Sequence, residues 1–211
     1  MIPTLPDLSR PALELAPALL GVRLVRVDEA GVRRVGTIVE TEAYPGGADL
    51  ASHTSGGRRT PRTESMYLEG GHAYVYRIYG IHDCVNVVSG RSGSGEAVLL
   101  RSIRPESGIE AMREDRPGIV DRDLARGPGR LCKALAIGRD LDRIRFGSGP
   151  MSLEAGTAFP PAEVVAAPRV GIDRAGEWAA RPWRFLAGDP FWWSVRPRRD
   201  AVLDLDPGRS G

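Results

Sequence analysis

The chain has 211 residues, 42% of them hydrophobic and 27% charged, and carries a net charge of only +2. That is enough for one domain with a real core and short for two. No apolar run approaches membrane-spanning length, and the start, MIPTLPDLSR, has neither a basic head nor an apolar signal core, so a cytoplasmic protein with no membrane partner is expected. Two cysteines, Cys84 and Cys132, exclude a disulfide framework and are expected as free buried thiols. Three histidines (His53, His72, His82) in no ligand-like spacing argue against a metal site. Of the 29 basic residues all but Lys133 are arginines, a bias that suits phosphate recognition and equally suits a genome with skewed codon usage.

In chain order, Ser9 and Pro11 open a helix over ALELAPALL that Gly21 stops. VRLVRV (22–27) and GVRRVGTIVETEAY (31–44) alternate about a glycine turn and predict a hairpin. A Gly-, Pro- and Arg-rich loop follows at 55–65, and HAYVYRIYGIHDCVNVVS (72–89) reads as two strands about Gly80. AVLLRSIRP (97–105) is a further strand, ESGIEAMRED a short helix, and Pro128 in GPGRLCKALAI opens another. Beyond Gly147 the chain holds short β-like pieces among Pro and Gly. Helices fall between hairpins with no β-α-β rhythm and no internal repeat, so the fold class is α+β. Residues 1–196 are expected to form the domain and 197–211 a disordered tail.

Strand periodicity puts Glu40, Glu42 and Tyr44 on one face, just before a Pro-Gly-Gly break. Carboxyls at that spacing could bracket a glycosidic bond, although two solvated acids on an exposed face would look the same. All five tyrosines lie between residues 44 and 79. Tyr74 and Tyr76 share a strand face, while Tyr79 sits beside the Gly80 turn, where a ring can insert between bases or stack on one. From the residues alone the reading is an enzyme acting on a nucleotide. A silent DNA- or RNA-binding module and a hydrolase of nucleosides or carbohydrates stay open.

IVETEAYPG, ASHTSGGRRTPRTESMYL, AYVYRIYGIHDCVNVV, AVLLRSIRPESGIEAMR, ARGPGRLCKALAI and RVGIDRAGEWAARPWRF occur in this order. Together they resemble the alkyladenine, or 3-methyladenine, DNA glycosylase family of mammalian and bacterial type, over most of residues 10–195. The resemblance implies a single mixed α+β domain with a curved antiparallel sheet, flanking helices and a β-hairpin, here YRIYGIHD, that enters the minor groove of DNA. The implied partner is double-stranded DNA containing damaged purines, bound by a monomer that needs no cofactor.

By the same resemblance Glu42 is the general base that deprotonates the attacking water, and Arg101 helps to hold that water. Glu40 is then structural. Tyr44, His53 and Tyr76 wall the pocket for an extruded purine, Asn86 crowds the 2-amino group of normal guanine, and Tyr79 fills the gap left in the duplex. Arg58, Arg62 and Lys133 are candidates for phosphate contacts. The loop VVSGRSGSGEA is longer than in mammalian members, and Ile81 and His82 fall where the family varies. The long N-terminal extension of mammalian members has no counterpart, which implies a compact bacterial-type enzyme.

Overall fold

Alternating β-branched and aromatic residues dominate the first half of the chain, and in the computed structural model they form one continuous antiparallel sheet. The structure describes residues 4–201 and 203–204. Its strands are β1 (Arg23–Val27), β2 (Arg33–Tyr44), β3 (Ala73–Ile78), β4 (His82–Ser89), β5 (Glu96–Ser107), β6 (Met151–Glu154), β7 (Val165–Ala167), β8 (Arg184–Leu186) and β9 (Leu203–Asp204). They run in the order β3-β4-β5-β2-β8-β7-β9, while β1 pairs with the first part of β2 and carries β6. Three short helices accompany them: α1 (Ala12–Ala18), α2 (Ile109–Glu114) and α3 (Pro128–Ala134).

The period of two divides the sheet into two chemically different faces. Val85, Val87, Val98 and Leu100 point to one side, where Leu15 and Leu19 from the α1 region and Leu131 and Leu135 from the α3 region complete the main core. Thr41 faces this side too, and its hydroxyl donates to the carbonyl of Ala16, 2.8 Å away. The residues between them, Glu42, Leu99, Asn86 and Tyr74, point to the other side. They stand opposite one another across four strands, Glu42 to Leu99 to Asn86 to Tyr74, and directly paired residues share a face. The α1 and α3 regions cover the first face, and on the second Met66, from the short turn Glu64–Tyr67, packs against Tyr74, Val88 and Ala97.

Two sequence expectations shift locally. The start of α1 is not capped by Ser9, which is held instead by Asp7. Pro11 takes the cap position without a side-chain bond, and the Ala12 N–H donates to the Glu96 carboxylate on β5 at 2.8 Å. The helix expected over 106–115 begins only at Ile109, because β5 runs on to Ser107. The chain then turns at Gly108 with φ 71°, where a Cβ would lie 2.5 Å from the Arg33 carbonyl oxygen.

The hairpin about Gly80 forms as expected. The Ile81 N–H donates to the Ile78 carbonyl at 3.2 Å across Tyr79 (φ 53°) and Gly80 (φ 73°), two positive φ values that match the twist of the flanking strands. Of the tail expected to be disordered, residues 197–201 and 203–204 are described, and β9 pairs with β7. Residues 1–3, 202 and 205–211 lie outside the described residues.

Candidate active site

The second face of the sheet opens into a cleft of about 700 Å³, a size suited to a small ligand. Tyr44, His53, Tyr76, Asn86, Arg101 and Val170 line it, the start of α3 closes one side, and Tyr79 borders it with 82% of its surface exposed. The expected pocket and wedge residues and Arg101 thus meet around one space, coming from β2, the 46–57 loop, the β3–β4 hairpin and β5, while Glu42 lies behind the lining.

Behind this lining lies a buried charge cluster. Glu40 and Glu42 are both fully buried, so the reading of two solvated acids on an exposed face is overturned. The reason is tertiary: β2 is an interior strand flanked by β5 and β8, and the segment around Ser194 covers its carboxylates. The β2–β5 register slips on either side of Glu40, leaving Val39 and Arg101 without a directly opposed partner. Such bulges re-aim side chains. Arg101 turns into the carboxylates, with its Nε 3.0 Å from Glu40 and its Nη1 3.2 Å from Glu42.

The two acids have different surroundings. Glu40 accepts from Arg101, from Arg184 Nη1 at 3.0 Å, and from the Ser194 N–H and hydroxyl at 2.6 and 2.8 Å. Three of these donors converge on Oε1 and one on Oε2, and of the residues that supply them only Arg101 lines the cleft. Glu42 Oε1 accepts from the Val170 N–H at 2.7 Å and faces Arg101, whereas Oε2 accepts only from the Tyr44 hydroxyl at 2.8 Å. Two carboxylates and two guanidiniums balance in charge, as burial demands. Burial would pull the Arg101 guanidinium down, but Glu42 and Glu40 outweigh it and hold it above its ordinary value.

The aromatic part of the wall is uncharged. Burial, and secondarily Glu42, pushes the Tyr44 phenol well above its usual range; burial, then Cys84, does the same for Tyr76. His53 is pulled down to about 4, by burial first and by Arg62 and Arg58 after it, so the ring is uncharged at neutral pH. Its Nδ1 lies 2.9 Å from the Tyr74 hydroxyl, and its ring meets Tyr76 edge-on at 4.7 Å. Asn86 is buried, with its amide nitrogen donating to the Tyr74 carbonyl at 2.9 Å. Cys84 and Cys132 are free and buried, and burial raises the Cys84 thiol to about 11.

The three phosphate candidates are less tightly gathered. Arg62 is exposed, with its guanidinium 5.2 Å from the Tyr76 ring centre, and Arg58 is an exposed neighbour in the same loop. Lys133 is exposed on α3 and is not among the residues lining the cleft. Sequence reasoning missed four partners: Tyr74, Val170, Arg184 and Ser194. Tyr74 was within reach, since it shares a face with Tyr76. The others meet β2 from more than 120 positions away and carry no local signal.

With this geometry in view, comparison with known proteins is informative. The model of the methylpurine-DNA glycosylase family matches residues 7–190. A Myxococcus xanthus protein named for 3-methyladenine DNA glycosylase activity is 48% identical over 86% of this chain and 87% of its own length. The human DNA-3-methyladenine glycosylase is 44% identical, and the mouse enzyme of the same name 42%. The alignments cover 90% and 92% of this chain but only 66% and 62% of those longer proteins. Relatives this similar, over this much of the chain, place it in the methylpurine-DNA glycosylase family.

Proposed function

We propose that this chain is a DNA repair glycosylase that releases alkylated or deaminated purines, of the 3-methyladenine type, from duplex DNA. The observation that carries the reading is Glu42: a fully buried carboxylate whose three partners, Tyr44, Arg101 and Val170, all line the cleft. In this reading Glu42 Oε2, which accepts a single bond from Tyr44, has a lone pair left for a water. Arg101, with Nη1 3.2 Å from Oε1, faces the carboxylate and helps to hold that water.

A target base inside the double helix cannot reach such a site, so the nucleotide must first be flipped out. Tyr44, His53 and Tyr76 would stack on the extruded purine, Tyr79 would occupy the gap, and Asn86 would disfavour the 2-amino group of guanine. As Glu42 takes a proton from water, the oxygen bonds to C1′ and the bond from C1′ to the purine nitrogen breaks. The bonding pair leaves with the base and neutralises an N3- or N7-alkylated purine. An abasic site remains. Glu40, two of whose three partners (Arg184 and Ser194) lie away from the cleft, holds Arg101 and is not the base.

Strand nicking through a Schiff base requires an amine at C1′. The single lysine does not line the cleft, which supports a monofunctional hydrolase. Borohydride added during turnover should trap no protein–DNA adduct, and an adduct lost in Lys133→Ala would overturn this part. The reading carries with it a cytoplasmic monomer acting on double-stranded DNA.

The test is release of 3-methyladenine, 7-methylguanine, hypoxanthine and ethenoadenine from otherwise identical duplexes, beside the free nucleosides. Release from duplex but not from nucleoside is expected. Equal activity on free nucleosides would identify a nucleoside hydrolase instead.

A further inference from the structure

Two of the three donors on Glu42 come from outside the middle of a strand. Tyr44 is the last residue of β2, and Val170 lies in a loop between β7 and β8. Both adjoin a second buried ion pair that does not line the cleft. Arg169 and Asp49 are fully buried, with Nη1 to Oδ2 at 2.6 Å and Nη2 to Oδ1 at 2.8 Å. Nη1 also donates to the Ala43 carbonyl at 2.9 Å, just before Tyr44. Nη2 reaches the Trp178 carbonyl at 3.4 Å. The guanidinium carbon lies 4.7 Å from the Tyr44 ring centre and 5.0 Å from that of Trp183.

One planar group therefore touches the Tyr44 ring, the backbone that enters Tyr44 and, through the chain itself, Val170. A buried ion pair is on average no more stabilising than apolar packing of the same volume. A planar fork, however, fixes the orientations of its partners, which an aliphatic side chain or a lysine does not. We infer that Arg169, clamped by Asp49, is a positioning residue for Glu42: it sets the Tyr44 hydroxyl and the Val170 N–H so that both donate to the carboxylate. The inference rests on the reading of Glu42 as the base. Arg169 itself touches no substrate.

The test is single-turnover base release, together with lesion-duplex affinity and thermal melting, for wild type, Arg169→Lys, Tyr44→Phe and the double variant. Lysine keeps the charge opposite Asp49 and loses the fork and the stack. Release by Arg169→Lys should fall about 10- to 100-fold, the scale expected when catalytic groups shift by about an ångström, while duplex affinity stays within about two-fold. Because Arg169 acts partly through Tyr44, the double variant should lose less than the product of the single losses. Trp183→Leu leaves the fork in place and removes one ring; it should show the same pattern several-fold weaker, and it decides the matter if Arg169→Lys does not fold. Losses that multiply, or rate and affinity falling in parallel, would overturn the inference. Glu42→Gln separates the two layers. If it releases base at the wild-type rate, the base assignment fails; if it is inactive while the losses multiply, only the role of Arg169 fails.

Discussion

The carboxylate cluster on β2 and the tip of the β3–β4 hairpin are the two most unusual regions of this molecule, and they are unusual in opposite ways. Glu40, Glu42, Arg101 and Arg184 are buried, charge-balanced and held by partners from four separate parts of the chain. Tyr79 and Ile81 are 82% and 73% exposed, on a turn whose tyrosine adopts φ 53°, a conformation few non-glycine residues take. Large apolar side chains held out in water contribute nothing to a core, whereas ions held away from water must be matched or they unfold the protein. The first region is organised for fixed geometry within the chain. The second holds its large side chains out from the chain.

That contrast can be broken at either end. The largest effect on stability should come from Glu40→Gln, which leaves Arg184 buried without its counter-charge. Removing one partner of a buried pair costs about 3 to 5 kcal/mol, and urea unfolding should show a loss of that size. A loss below about 1 kcal/mol would mean that the cluster is hydrated and the contrast false.

Protonation probes the pocket wall between the two regions. His53 has a folded value of about 4 against an ordinary 6.5, so between those values the unfolded chain binds more protons than the folded one. Its contribution to stability is complete above pH 6.5, declines as the pH falls toward 4, and then levels off; the total is at most about 3 kcal/mol. Denaturant unfolding across that range should flatten in His53→Asn, and an unchanged slope would show that the ring titrates normally.

The hairpin should respond in the opposite manner. Tyr79→Ala should leave the unfolding midpoint within error. Base release should weaken by the equivalent of about 1 to 3 kcal/mol, the worth of one stacked ring. The deficit should shrink at a mismatched lesion, where flipping is easier. Equal deficits at paired and mismatched lesions would point away from a wedge. The smallest effect is expected from Arg58→Ala and Arg62→Ala. If each contacts a phosphate, each should lower the slope of log affinity against log salt by about 1.

The same contrast explains what could be read from the sequence. The hairpins, the long strand through Arg101 and the helix at Pro128 were legible because alternation, Gly turns and Pro starts are local signals. So was the shared face of Glu40, Glu42 and Tyr44. Whether that face met water was not legible, since the answer lies in the cover supplied by Arg184 and Ser194. These residues lie 144 and 154 positions from Glu40. The bulge that aims Arg101 depends on how two strands slip past each other, which neither strand records alone. Asp49 and Arg169 went unremarked for the same reason, being 120 positions apart.

We propose that the two acids differ in role although they share a strand face and equal burial. Base release from a 3-methyladenine duplex by Glu42→Gln, measured in single turnover beside lesion-duplex binding, tests it most directly. The rate should be lower by about 10² to 10⁴-fold or more, with binding retained, because the amide keeps the shape and loses the base. Near-wild-type release by Glu42→Gln, with loss appearing instead in a folded Glu40→Gln, would contradict it.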